Sequence, residues 1–125
     1  MHLNNSFKIY NASAGSGKTF NLVKEYLILL LTSENDDAYK NILAITFTNK
    51  AVNEMKNRIV ERLIEFSDKE KINKNSAIIK EIIKETKLSV NTINIKSNQI
   101  LKHLLKNYAA FEISTIDKFT QRIVR

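Results

Sequence analysis

Only two glycines and no proline occur in the 125 residues, and both glycines fall in one stretch, Ala12-Ser13-Ala14-Gly15-Ser16-Gly17-Lys18-Thr19. An apolar run over 7–10 precedes this stretch and a helical pattern starting at Phe20 follows it, so the local order is strand, loop, helix. Glycines let a backbone turn tightly and bring successive N–H groups close to phosphate oxygens, while the following helix aims the positive end of its dipole at the same anion. The stretch 12–19 therefore reads as a phosphate-binding loop. Lys18 is expected to reach the β and γ phosphates and the Thr19 hydroxyl to ligate Mg²⁺, which makes ATP with Mg²⁺ the expected ligand. The usual pattern opens on glycine where this chain has Ala12. The bland alternative is a glycine turn followed by a solvated lysine at a helix start.

The rest of the chain alternates in texture. Runs over 7–11, 42–47 and 111–115 are β-rich, and the unbroken Ile42-Leu43-Ala44-Ile45 suits a strand buried on both faces of a parallel sheet. Helical periodicity follows each run, with one helix expected from about Gly17 to Leu31 and another from about Asn49 to Phe66, capped by Thr48. Strand and helix in alternation imply an α/β fold. Between 68 and 108 the pattern changes to two amphipathic helices, marked by Ile78, Ile79, Ile82 and Ile83, then by Ile93, Ser97, Ile100, Leu101, Leu104, Leu105 and Tyr108. These stripes are expected to pack on each other or on the sheet, with a partner groove as the alternative. The division is residues 1–67 as the first part of an NTPase core, 68–108 as a helical insertion, and 109–125 as a return to the core.

Composition sets the outer limits. Hydrophobic residues make up 43% of the chain, enough for a core, and 20 Lys and Arg against 13 Asp and Glu give a net charge of +7. That balance permits a polyanionic partner without requiring one. No cysteine is present, which excludes disulfides, thiolate metal sites and a cysteine nucleophile. The two histidines, His2 and His103, form no ligand pattern and are expected at the surface. No apolar stretch approaches a membrane span and no secretory signal opens the chain, so a cytoplasmic protein is expected.

Two further motifs stand at the expected carboxyl ends of strands, where open parallel sheets bind ligands. The first is Thr46-Phe47-Thr48-Asn49-Lys50-Ala51, the second Ser114-Thr115-Ile116-Asp117-Lys118-Phe119. With 12–19 they occur in the order that characterises the UvrD/Rep family of superfamily I DNA helicases, which this chain resembles. The short segment before the first strand, without an upstream glutamine motif, looks more like the RecB and AddA branch of helicase-nucleases.

The resemblance implies a partial RecA-like P-loop domain, with a parallel sheet flanked by helices and an inserted helical segment. It also implies an ATP-dependent DNA helicase that translocates on single-stranded DNA and unwinds duplex in DNA repair and recombination, with a partner subunit of a helicase-nuclease complex in prospect. In that frame the phosphate loop comprises Ala12, Ser13, Ala14, Gly15, Ser16, Gly17, Lys18 and Thr19, with Lys18 and Thr19 in the catalytic machinery and Thr19 on the metal. Thr46, Thr48, Asn49 and Thr115 would bond DNA phosphates or sugars, Lys50 and Lys118 would add charge, and Phe47 or Phe119 would meet a base or pack in the core. Asp117 stands where many members carry His. The acidic pair that orients water for hydrolysis and the arginines of a second domain are absent from these 125 residues, so the chain is expected to be an N-terminal piece, inactive alone. Another P-loop enzyme, or a non-catalytic nucleotide- or DNA-binding remnant, is the alternative.

Overall fold

The computed structural model describes residues 7–9, 16–41, 43–46, 48–73, 75–111 and 113–115. In chain order these form β1 (Phe7–Ile9), α1 (Ser16–Thr32), a 3-10 turn (Ala38–Asn41), β2 (Leu43–Thr46), α2 (Asn49–Ser67), α3 (Ala77–Thr86), α4 (Val90–Lys106), a second 3-10 turn (Tyr108–Ala110) and β3 (Ile113–Thr115). The three strands pair in parallel in the order β1-β2-β3.

The described residues are mostly helical, which corrects the expected α/β fold built on a parallel sheet flanked by helices. Helices of 17, 19, 10 and 17 residues stand against strands of 3, 4 and 3. The physical reason lies in where the apolar residues recur at helical spacing. Leu22, Val23, Tyr26, Leu27, Leu30 and Leu31 line one face of α1; Met55, Ile59, Leu63 and Phe66 line α2; Ile78, Ile79 and Ile82 line α3; and Ile93, Ile100 and Leu104 line α4. These faces meet in one cluster, which takes in Tyr39 and Phe111 and, from the described strand residues, Ile113. The core is thus built helix on helix, and the short sheet attaches to it. Each fully buried Leu or Ile contributes about 1.5–3 kcal/mol relative to exposure, so the helical stripes supply most of the burial among the described residues.

The limits of α1 and α2 agree closely with the sequence expectation, and α2, α3 and α4 each begin at a hydroxyl cap. Thr48 Oγ1 accepts from Ala51 N at 3.0 Å, Ser76 Oγ from Ile79 N at 3.4 Å, and Ser89 Oγ from Thr92 N at 3.1 Å. Ser89 caps α4 directly after the short link that follows α3. At the other end of α3 the chain turns through Lys87, whose φ of 64° is left-handed, and its N–H reaches Ile83 O at 2.8 Å.

The last carbonyls of α2 are all bonded. Ile64 O accepts from Ser67 Oγ at 2.9 Å and Glu65 O from Asp68 N at 3.3 Å. Phe66 O accepts from Asn94 Nδ2 at 2.8 Å and Ser67 O from Asn98 Nδ2 at 2.7 Å. Since carbonyls at a helix C-terminus have no partner within the helix, two asparagines of α4 supply what α2 lacks. With Lys56 of α2 lying 4.8 Å over the Tyr108 ring just past α4, these contacts make α2 and α4 antiparallel.

Candidate nucleotide and nucleic-acid site

Parallel pairing brings the carboxyl ends of β1, β2 and β3 to one edge of the sheet. Ile9 is the register partner of Ile45, and Thr46 is that of Thr115. The two motif threonines, far apart in sequence, therefore stand side by side at adjacent strand ends. The two helices that carry motif residues begin after that edge: α1 at Ser16 and α2 at Asn49.

Of the phosphate-loop residues, Ser16, Gly17, Lys18 and Thr19 form the first turn of α1, and that turn contains no acidic residue. A helix N-terminus carries a partial positive charge from its unsatisfied N–H groups, and the residues of this turn bring no carboxylate to it. The turn thus suits an anion, as triphosphate binding with Mg²⁺ requires. Ala12, Ser13, Ala14 and Gly15 lie outside the described residues.

In the second motif, Thr48, Asn49 and Lys50 are exposed and open α2, again with no acid in the first turn. Thr48 serves as the cap, as the sequence suggested. Thr46 and Thr115 end their strands as register partners. Phe47, Asp117, Lys118 and Phe119 lie outside the described residues, so the choice between base contact and core packing for the two phenylalanines rests on sequence.

Several features were not visible in the sequence. His103, expected at the surface, is half-buried: its Nδ1 lies 2.9 Å from the Tyr39 hydroxyl, which also donates to His103 O at 3.1 Å. Burial pushes the Tyr39 phenol above its ordinary pKa. Lys24, on α1, faces Glu85 and Glu81 of α3. The spacing of those two glutamates, four apart on one helix face, was the available signal, but nothing in the sequence named their partner. A cleft of about 330 Å³ between α1, α2 and α3 is lined by Phe20, Val23, Arg58, Glu61, Arg62, Glu65 and Ile78. Its arginines are already paired, Arg58 with Glu54 at 3.2 Å and Arg62 with Glu65 at 2.9 Å, so it holds little uncompensated charge. No cluster of metal-ligating side chains occurs among the described residues. No helix among them is long and apolar enough to cross a membrane.

Comparison with known proteins decides the family. The profile of the UvrD/REP helicase N-terminal domain matches residues 1–125, the whole chain. The chain belongs to the UvrD/REP helicase N-terminal domain family. Among curated proteins it is similar to the RecBCD enzyme subunit RecB of Chlamydia muridarum, with 50% identity over 52 residues, 42% of this chain and 5% of that protein. It is also similar to an ATP-dependent helicase/nuclease subunit of Thermoanaerobacter sp., with 46% identity over 57 residues, 46% of this chain and 5% of the relative. The corresponding helicase/nuclease subunit of Bacillus cytotoxicus is 36% identical over 91 residues, 73% of this chain and 7% of the relative. These likenesses fall on the RecB/AddA side of the UvrD/REP family. The aligned part of this chain spans only 5–7% of the length of these relatives. No solved structure matches the chain.

Proposed function

We propose that this chain is the ATP-binding N-terminal region of an ATP-dependent DNA helicase of the RecB/AddA kind, whose full-length form translocates on single-stranded DNA and unwinds duplex in repair and recombination. The observation that carries the reading is the shared edge. The Thr46–Thr115 pair ends two of three parallel strands, and the acid-free first turn of α1 and the start of α2 come after β1 and β2 in the chain. A nucleotide and a DNA strand held there would be neighbours, as coupling of ATP use to movement along DNA requires. In this reading the backbone of 12–19 cradles the phosphates, Lys18 adds a compact charge, and Thr19 offers a hydroxyl to Mg²⁺. The metal, when bound, neutralises charge on the phosphate oxygens. Thr46, Thr48, Asn49, Lys50, Thr115 and Lys118 contact the sugar-phosphate backbone without reading sequence, and Phe47 and Phe119 offer rings to bases. Partner subunits of a helicase-nuclease complex belong to the same proposal, from the names of the relatives.

Titration calorimetry with MgATP tests the nucleotide half. Binding by the parent chain and loss of at least about tenfold in affinity in Lys18→Ala is the expected result, because the lysine is the charge placed on the β and γ phosphates. Equal affinity in parent and variant removes the reading. For the DNA half, oligo-dT binding by fluorescence anisotropy should weaken as salt rises, since backbone contacts release counterions.

A further inference from the structure

The helix that opens with the phosphate motif is held by two kinds of contact. Its apolar face, Leu22, Val23, Tyr26, Leu27, Leu30 and Leu31, is buried in the core. That contact is strong but non-directional. Directional contacts add to it. Lys24 Nζ lies 2.9 Å from Glu85 Oε2 and 3.9 Å from Glu81 Oε2, both on α3, and 4.0 Å from Glu25 Oε2 on its own helix. Just past the far end of α1, Lys96 Nζ of α4 donates to Ser33 O at 2.8 Å. These two ties lead to α3 and α4, in the 68–108 segment.

Lys24 is placed to matter for the loop. It follows Lys18 by six positions on the same helix, about 9 Å along the axis. Its side chain is only 14% exposed, against 47% and 40% for Glu81 and Glu85, so the lysine is the inner member of the group. The hydrogen bond to Glu85 holds its pKa above the usual lysine value, which keeps the charge in place throughout the neutral range. A phosphate cradle works only when its N–H groups converge on one point, so the rotation and axial setting of the helix that carries them bear directly on affinity.

We propose that Lys24 is a positioning residue for the nucleotide site: its bond to Glu85 fixes the setting of α1 against α3, so the helical segment between α2 and β3 governs how tightly the phosphate loop holds a nucleoside triphosphate. The inference rests on the nucleotide reading of 12–19 given above. Lys24 touches no ligand; it acts through the helix.

Calorimetric titration of MgATP into the parent chain and into Lys24→Met, Lys24→Arg, Glu85→Gln and the Lys24→Met/Glu85→Gln double variant tests it, with thermal melts in parallel. Lys24→Met is expected to weaken affinity about threefold to fivefold, the range a partly exposed ion pair can supply. The double variant should be no weaker than Lys24→Met, and Lys24→Arg should stay near the parent. Asn98→Ala, which removes a bond at the far end of α2, serves as a control that lowers stability while leaving affinity unchanged. If Lys24→Met fails to fold, Glu85→Gln carries the test, because it leaves Glu81 and Glu25 beside the lysine. Parental affinity in folded Lys24→Met, an arginine variant as weak as the methionine one, or a loss in Asn98→Ala that tracks its stability would each overturn the inference. Affinity that depends on Lys18 but ignores Lys24 overturns this inference alone. Absence of nucleotide binding in the parent overturns the underlying reading and this with it.

Discussion

Asn94 offers a sharp test of how the helical core is held. It is 4% exposed, and its Nδ2 donates to Phe66 O at 2.8 Å, a carbonyl that finds no donor within α2 itself. Replacing Asn94 with Ala removes the bond and strands the carbonyl away from water. The net worth of such a bond is about 1 kcal/mol, and an orphaned buried acceptor costs about 1–3 kcal/mol, so a loss of about 2 kcal/mol is expected. Asn94→Asp keeps the shape but sets a carboxylate oxygen where the amide donor stood, facing a carbonyl oxygen, and should cost about 3 kcal/mol or more. Asn98 makes the equivalent bond to Ser67 O from a half-buried position, so Asn98→Ala should cost about 1 kcal/mol. Urea unfolding followed by circular dichroism reads these values. With a slope of about 2 kcal/mol per molar urea, Asn94→Ala moves the midpoint down by about 1 M. If Asn94→Asp unfolds within about 0.5 kcal/mol of the parent, the amide is not carrying the end of α2 and the reasoning fails.

Other expectations follow from single contacts. Thr48→Ala should lower stability by about 1 kcal/mol through loss of the cap on Ala51 N, whereas Thr48→Asp keeps the cap and stability but weakens oligo-dT binding by adding a negative charge to the proposed DNA rim. Parental DNA affinity in a folded Thr48→Asp would separate this residue from the DNA role. Lys87→Gly should raise the unfolding midpoint, with a gain of up to about 1 kcal/mol, since glycine adopts the left-handed φ of 64° without a Cβ clash. Lys24 and Tyr39 both have folded pKa values raised above the ordinary 10.5 and 10.0, the first by its bond to Glu85 and the second by burial. Their contributions are therefore complete below those values and fall away as pH climbs through the raised ones. Urea midpoints taken at about pH 8 and about pH 11 should drop less in Tyr39→Phe than in the parent, and equal drops would contradict the assignment.

What the sequence revealed divides by range. The start of α1, the Thr48 cap and the limits of α2 all depend on residues a few positions apart, and local spacing made them legible. The balance between sheet and helix depended instead on long-range packing: the described strands span three or four residues, while the amphipathic stripes build the core. His103 was read as a surface residue because a lone histidine gives no sign of a tyrosine on a distant turn. Lys24 with Glu85, Asn94 with Phe66 O and Lys96 with Ser33 O are all pairings across the fold, and no periodicity announces them. Of the candidate site, the side-by-side setting of Thr46 and Thr115 was the part that needed the fold, since only strand register brings those motifs together.

That register also bears on the order in which the molecule assembles. Thr46 and Thr115 meet only after the chain has passed through α2, α3 and α4, so the β2–β3 ladder closes a long loop and yields few bonds in return. The α2 and α4 faces, joined through Asn94 and Asn98, lie closer in sequence and bury far more apolar surface. Helix docking should therefore come first in folding, with the third strand zipping onto the second late. In a φ-value experiment, Leu63 and Ile100 would then score high and Ile113 near zero. On a ribosome the motif edge would form only once the last of these segments had emerged, which makes the helical core the scaffold on which the motif-bearing edge is finally drawn together.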